Sequence, residues 1–200
     1  MRDHHSVDDD AKLFFVLSAA LHDAAIASWD AKRAWDSVRP ITAIPELFHG
    51  QQIQSWGGPA RGTVSMDGGE WIPYQSATFP TPPFPSYVSG HSTFSAAGAT
   101  VLSAWTGSDK FGASVTFEAG SSVIESGMTP ASTLVLSWDT FSDAANEAGM
   151  SRRYGGIHFK ADDLTGRDIG RKIGMQAWRK SLTYFNGTAG TRDNESSESR

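Results

Sequence analysis

The 200-residue sequence contains no cysteine, which excludes disulfide bonds, thiol catalysis and metal sites with cysteine ligands. It also lacks an excess of positive charge, because 17 Lys and Arg residues face 22 Asp and Glu residues and the net charge is −5. A nucleic-acid partner, whose phosphates require a basic surface, is therefore disfavoured. We find no window as long as a transmembrane helix and no signal peptide at the charged N-terminus. The sequence thus predicts a soluble protein and leaves its compartment open.

What is present is typical of one globular domain. Hydrophobic residues make up 39% of the chain and charged residues 20%. A chain of this length can bury a sizeable core without a second domain. We predict a single helical domain over residues 1–186 and a flexible, polar tail over 187–200.

The spacing of apolar residues predicts a mainly α fold. Ser6 and Asp9 are typical of a capping box that opens a helix, and the apolar residues after them recur at three- and four-residue steps. Arg39-Pro40 is expected to end that helix, because a residue before proline is disfavoured in the α conformation. Most of the nine prolines fall in residues 41–88, which predict a long ordered loop. We expect one small β-hairpin over 113–118 and 132–137, and helices over 11–39, 89–105, 139–151 and 159–185.

Lys32 and Arg39 form the first group of residues with chemical potential. Seven positions on a helix make two turns, so both cations would project from nearly the same face. Two such cations repel each other unless an anion lies between them. Asp36 lies four residues from Lys32 and three from Arg39, so the alternative is an exposed ion pair without function.

Ser89-Gly90-His91 lies at the predicted start of a helix. The unpaired N–H groups and positive dipole end of a helix N-terminus bind anions, and Gly90 would allow close backbone approach. His91 would stand beside that anion with a pKa suited to proton transfer. The alternative is an ordinary serine cap followed by a surface histidine.

Arg152, His158 and Asp162 form the third group. Gly155-Gly156 breaks the helical pattern, so a turn can direct Arg152 and His158 to one point. Asp162 follows His158 by four helical positions, and its carboxylate can accept a hydrogen bond from the imidazole and orient the ring. The alternative is a corner between two helices with no ligand. Together, the three groups suit a tetrahedral oxyanion held by cations and backbone N–H groups.

These segments resemble the signature of the vanadium haloperoxidase and type-2 phosphatidic-acid-phosphatase superfamily, which reads K-x6-RP, SGH and SR-x5-H. The resemblance implies a helical bundle of the vanadium chloroperoxidase and acid phosphatase type. It also implies that vanadate or phosphate is held by Lys32, Arg39, Ser89, Gly90 and Arg152. By the same resemblance, His158 is the axial ligand of vanadium or a phosphorylated nucleophile, and His91 is an acid–base residue.

The segment Pro85-Ser86-Tyr87-Val88-Ser89-Gly90-His91 is similar to the spaced PS-x-PSGH form of haloperoxidases, with Val88 where proline is expected. Trp29 and Phe84 resemble the aromatic wall on the halide side, although core packing is the alternative. The resemblance implies a haloperoxidase that uses hydrogen peroxide and halide and forms hypohalous acid, with Lys32 polarising the bound peroxide and vanadium acting as a Lewis acid. An acid phosphatase and a truncated, inactive oxyanion-binding domain remain the alternatives.

Family members have several helices before the lysine motif, whereas this chain has one. Because the first predicted helix is apolar over much of its surface, it should expose a patch. We therefore expect a homo-oligomer, or helices missing from this chain that cover the patch.

Overall fold

A computed structural model describes residues 5–190, and residues 191–200 of the predicted tail lie outside that range. The helices and strands confirm a mainly α fold. The α-helices are α1 (Val7–Trp35), α2 (Pro40–Phe48), α3 (Gly90–Thr106), α4 (Phe141–Tyr154) and α5 (Lys160–Phe185). The strands are β1 (Gln52–Trp56), β2 (Thr63–Asp67), β3 (Lys110–Phe117) and β4 (Leu134–Thr140). The division into a domain over 1–186 and a tail stays a prediction.

Helix α1 begins as predicted but ends earlier. Ser6 accepts a hydrogen bond from the Asp9 backbone N–H at 3.1 Å, and the Asp9 carboxylate accepts one from the Ser6 N–H at 3.0 Å, which completes the capping box. The helix ends at Trp35, where Asp36 adopts the left-handed conformation with φ 39°. Aspartate tolerates this conformation better than most residues. The prediction of one helix to Arg39 is therefore wrong by four residues.

The prediction of a loop over residues 41–88 is wrong in its first half. Pro40 is the first residue of α2, a position where proline's fixed φ favours a helix and its missing N–H costs nothing. Strands β1 and β2 then form an antiparallel hairpin in which Ile53 lies opposite Met66. Irregular chain continues from Trp71 to Ser89. The predicted hairpin at β3–β4 is present, with Val115 opposite Leu136.

Helices α3 and α5 pack with their backbones unusually close. Gly166, Gly170 and Gly174 recur every four residues, so they lie on one face of α5. A Cβ atom at Gly166 would lie 2.8 Å from the Ser89 carbonyl oxygen, and one at Gly174 would lie 2.6 Å from that of Ala97. The contacts advance in the same direction along both helices, so α3 and α5 run parallel. Their N-termini therefore meet at the same end of the bundle.

The outer face of α1 is apolar and exposed. Its side chains include Phe14, Ile26 and Trp29, which are 65%, 57% and 51% exposed. Contrary to the sequence-based statement that no window is long enough, Val7–Phe48 contains an 18-residue window that could cross a membrane by length and composition. A single such segment is a weak indication, because core helices of water-soluble proteins and signal sequences share these properties. The predicted partner of this face stays a prediction.

Candidate oxyanion site

A cavity of about 300 Å³ lies where the C-terminal ends of α1 and α4 meet the N-terminus of α3. All but two of the predicted site residues line it, namely Trp29, Lys32, Arg39, Phe84, Gly90, His91, Arg152 and His158. The two exceptions lie just beneath the surface of the cavity. Ser89 is fully buried as the N-cap of α3, and Asp162 is 3% exposed. The structure thus brings the three sequence groups to one place.

Lys32 is buried at the end of α1, with an exposed fraction of 2%. Its ammonium donates hydrogen bonds to the carbonyl oxygens of Pro85 at 2.7 Å and Ser86 at 2.9 Å, which leaves a third donor available. Burial, reinforced by the positive charge of Arg39, lowers the pKa of Lys32 to about 8. The alternative of an exposed pair with Asp36 is therefore wrong.

Arg39 reaches the cavity from the turn between α1 and α2. The prediction that helical register aligns Lys32 with Arg39 is wrong, because α1 ends between them. Instead, the segment before α3 holds both cations: the Arg39 Nε donates to the Phe84 carbonyl oxygen at 2.7 Å. The Phe84 ring lies 5.3 Å from the Lys32 Nζ and 4.9 Å from the Arg39 guanidinium, within cation–π distance. Burial lowers the pKa of Arg39.

Trp29 and Phe84, for which the sequence predicts an aromatic wall on the halide side, are in ring contact. The two ring centroids lie 4.9 Å apart and the rings are tilted by 46°. Phe84 faces the two cations, whereas half of the Trp29 surface remains exposed. The pair therefore forms part of the apolar lining of a cavity that also contains three cationic side chains.

His158 is oriented by a buried carboxylate. Its Nδ1 lies 3.1 Å from the Asp162 Oδ2, which also accepts hydrogen bonds from the Ser86 hydroxyl at 2.5 Å and the Phe159 N–H at 2.9 Å. An ionised Asp162 can only accept, so we assign the proton to Nδ1 and the lone pair to Nε2. The Arg39 Nη1 donates a hydrogen bond to Nε2 at 3.4 Å, on the cavity side.

The pKa values of this pair agree with that assignment. Burial raises the pKa of Asp162, but the hydrogen bonds from His158, Ser86 and the Phe159 backbone outweigh it and hold the pKa below the usual value. Burial lowers the pKa of His158, and Arg39 and Lys32 add to the effect against the opposing Asp162. His158 is therefore neutral near pH 7, with the Nε2 lone pair directed toward the Arg39 Nη1 on the cavity side.

His91 and Arg152 complete the cavity from α3 and α4. Burial lowers the pKa of His91, and the charge of Arg152 lowers it further. The Arg152 Nε is buried and has no hydrogen-bond partner among residues 5–190. A buried donor without a partner is costly, and an anionic ligand would satisfy it.

A second buried network of hydrogen bonds, centred on the Asp163 carboxylate, lies next to the site. The Asp163 carboxylate accepts from the Ser92 hydroxyl at 2.9 Å and from Arg167 through two hydrogen bonds of 2.7 and 2.6 Å. The Arg153 Nη1 lies 3.6 Å from the same carboxylate. Ser92, Arg153 and Asp163 each directly follow a site residue in sequence, so the network links α3, α4 and α5 next to the cavity. Sequence reasoning missed it, although the four-residue spacing of Asp163 and Arg167 was a signal.

The charges of the cavity suit an oxyanion. Three cationic side chains, Lys32, Arg39 and Arg152, line it, and Asp162 is the carboxylate that opposes them. The two arginines supply fixed, directed donors, and the start of α3 adds backbone N–H groups. Together with the unpaired Arg152 Nε, these residues fit vanadate or phosphate.

Comparison with known proteins decides the family. The model of the second helical-bundle domain of vanadium chloroperoxidases (VCPO) matches residues 12–187. The chain belongs to the vanadium haloperoxidase family. This confirms the resemblance and the helical bundle predicted from sequence, and it places the chain among homologues that are enzymes.

Relatives within the family include chloroperoxidases and an iodoperoxidase. Vanadium chloroperoxidase from Curvularia inaequalis is 34% identical over 93 residues, which are 44% of this chain and 13% of the relative. A holo-type bacterial vanadium-dependent chloroperoxidase is 30% identical with a TM-score of 0.78, over 88% of this chain and 36% of its own. A bacterial vanadium-dependent iodoperoxidase is 30% identical with a TM-score of 0.57, over 84% and 32%.

The chain therefore spans well under half the length of these relatives. An apo-type bacterial chloroperoxidase is 28% identical with a TM-score of 0.85 and aligns with 96% of this chain, yet only 40% of its own length is covered. The shared part is the helical bundle that carries the cavity.

Proposed function

We propose that this protein is a vanadium-dependent haloperoxidase, which oxidises halide with hydrogen peroxide to hypohalous acid. The observation that carries the proposal is the cavity itself, where three buried or half-buried cations surround His158, whose Nε2 lies 3.4 Å from the Arg39 Nη1. The family of the chain supports vanadate as the oxyanion, since a holo-type vanadium-dependent chloroperoxidase is among the relatives. Bound vanadate would supply a Lewis acid that activates hydrogen peroxide toward halide.

The residues of the chain have separate tasks in this proposal. Lys32, Arg39 and Arg152 bind the oxyanion and neutralise its charge, and the N-terminus of α3 at Gly90 adds backbone donors. His158 would hold the group through Nε2, while Asp162 and Ser86 fix the ring through Nδ1. His91, with a lowered pKa, is neutral near pH 7 and can accept a proton at the cavity.

Phosphate ester hydrolysis is the second candidate. A neutral, oriented histidine nitrogen among three cations would also serve as a nucleophile toward phosphorus. The aromatic pair of Trp29 and Phe84 and the haloperoxidase relatives favour halide oxidation over this alternative.

Parallel assays of the purified protein separate the candidates. After incubation with orthovanadate, bromination of a phenolic dye by bromide and hydrogen peroxide is measured with and without vanadate, alongside hydrolysis of para-nitrophenyl phosphate. We expect vanadate-dependent bromination. Ester hydrolysis that vanadate inhibits, without bromination, would assign the phosphatase activity instead. Binding of vanadate without either turnover would indicate an inactive oxyanion-binding domain.

The pH dependence of vanadate affinity should report on Lys32. The cation is lost as the pH rises through about 8, so we expect vanadate to bind more weakly above this pH. The Lys32→Arg variant keeps its charge throughout. The ratio of the wild-type Kd to the Lys32→Arg Kd should therefore be constant below pH 7 and rise from pH 8 to 9.5, by about tenfold per pH unit at most.

Vanadate itself changes protonation state with pH, but this affects both proteins equally and cancels in the ratio of their Kd values. A ratio that stays flat across this range would contradict the role of Lys32.

The same lowered pKa of Lys32 has the opposite effect on folding stability: stability increases with pH where vanadate affinity decreases. The unfolded chain binds more protons than the native one between pH 8 and 10.5, so the contribution of Lys32 to stability becomes more favourable as the pH rises through that window.

A further inference from the structure

Ser28 carries a buried hydroxyl that the protein itself leaves without a partner. It lies on α1 one turn before Lys32 and is 1% exposed. A serine inside a helix commonly bonds to the carbonyl oxygen four residues earlier. Among the residues that the structure describes, the Ser28 Oγ has neither this bond nor any other hydrogen-bond partner.

The position of this hydroxyl relates it to the cavity. Ser28 lines the cavity together with Lys32 and Gly90. A Cβ atom placed on Gly90 would lie 3.9 Å from the Ser28 Oγ, so the hydroxyl stands close to the start of α3. Within residues 5–190, the buried side-chain polar atoms without a hydrogen-bond partner are this oxygen and the Arg152 Nε. Both belong to residues of the same cavity.

We propose that Ser28 is an additional ligand of the oxyanion, to which its hydroxyl donates a hydrogen bond. This inference rests on the proposed function, because it requires an oxyanion in the cavity. An oxyanion accepts hydrogen bonds from all sides. The three cations lie at the end of α1, in the turn after it and at the end of α4, and Gly90 lies at the start of α3. Ser28 adds a neutral donor from α1, one turn before Lys32. A neutral donor binds the anion without adding to the repulsion among Lys32, Arg39 and Arg152.

If Ser28 binds the oxyanion, Ser28→Ala should weaken anion affinity without lowering the melting temperature of the ligand-free protein. In the absence of ligand, Ser28→Ala removes an unsatisfied hydroxyl and introduces a better helix former, so its melting temperature should equal or exceed that of the wild type. In contrast, its affinity for orthovanadate should fall by roughly 10- to 100-fold, as for the loss of a hydrogen bond to a charged group. A residue with a purely structural role would not separate the two effects.

The experiment measures the Kd of orthovanadate and of inorganic phosphate by calorimetry, and the melting temperature with and without each anion. The proteins are the wild type, Ser28→Ala and the control Ser18→Ala, in which the substituted serine lies on the exposed side of the same helix. We expect both anions to bind Ser28→Ala more weakly and to raise its melting temperature less than they raise that of the wild type. The control should behave like the wild type.

Three results would overturn the inference. Equal Kd values for wild type and Ser28→Ala would mean that the hydroxyl does not touch the oxyanion. Unchanged anion affinity with a raised KM for bromide would assign Ser28 to the halide instead. A loss of melting temperature in Ser28→Ala without ligand would make Ser28 a structural residue. If the wild type binds neither anion, the proposed function fails as well, so the two failures are distinguishable.

Discussion

Replacing His158 by alanine should reduce vanadate-dependent halide oxidation to background. The loss should exceed the roughly 10²- to 10³-fold cost of removing one donor to a developing anion, because the variant lacks the atom proposed to bond the vanadium. His158 is 6% exposed, and Asp162 aims its Nε2 toward the cavity. Bromination rates at saturating vanadate and calorimetric Kd values for vanadate measure the effect. The Kd should also rise, although the three cations still attract the anion.

The matched control is His22→Ala, which removes an exposed histidine from α1. Its activity and affinity should equal those of the wild type. Thermal unfolding of both variants shows whether the fold is kept. Activity of folded His158→Ala above roughly one hundredth of wild type would contradict the role of His158 as the ligand of vanadium.

Of the single substitutions described here, Asp163→Ala should lower the free energy of unfolding the most. The carboxylate is fully buried and makes two short hydrogen bonds to Arg167, which is itself 9% exposed. Removing it leaves a buried cation without a counter-charge, which costs about 3–5 kcal/mol of unfolding free energy. The Ser92 hydroxyl also loses its acceptor. Urea denaturation measures the change, with the m-value as a check that the variant still unfolds cooperatively.

Two further variants test the physical reason. Asp168→Ala removes a carboxylate from the exposed face of α5, where its partner Lys172 is 74% exposed, and should leave stability nearly unchanged. The double variant Asp163→Ala/Arg167→Met removes both buried charges and should recover part of the loss, because an apolar pair costs less to bury than a single charge. If Asp163→Ala unfolds at the same urea concentration as Asp168→Ala, the buried network does not stabilise the bundle.

The sequence predicted the longer helices because their apolar spacing and caps are local signals. The capping box at Ser6 and the serine cap of α3 are both formed. The sequence does not predict α2 because its prolines indicate a loop, whereas Pro40 occupies the first helical position, which favours proline, and Pro45 lies inside the helix. The end of α1 at Asp36 was also missed, because a residue in the left-handed conformation does not change the spacing of the apolar residues.

The site was predictable to the extent that short motifs carry it. Lys32, Arg39 and His158 lie at one cavity, yet the mechanism that unites the first two is tertiary and not helical register. Backbone carbonyl oxygens of residues 84 to 86 accept hydrogen bonds from both cations. Such backbone acceptors cannot be predicted from the pattern of side chains. Ser28 was missed because its significance lies in an absent partner, which only three-dimensional contacts reveal.

The parallel packing of α3 and α5 creates an asymmetry between two neighbouring helix ends. The first turn of α5 contains Asp162 and Asp163, which balance the positive end of its dipole. The first turn of α3 contains no acidic residue. Of two adjacent positive ends, the chain thus places acidic residues in the first turn of one and none in the first turn of the other. A bound anion would complete for α3 what aspartates do for α5, so the ligand would act as a removable cap of the fold.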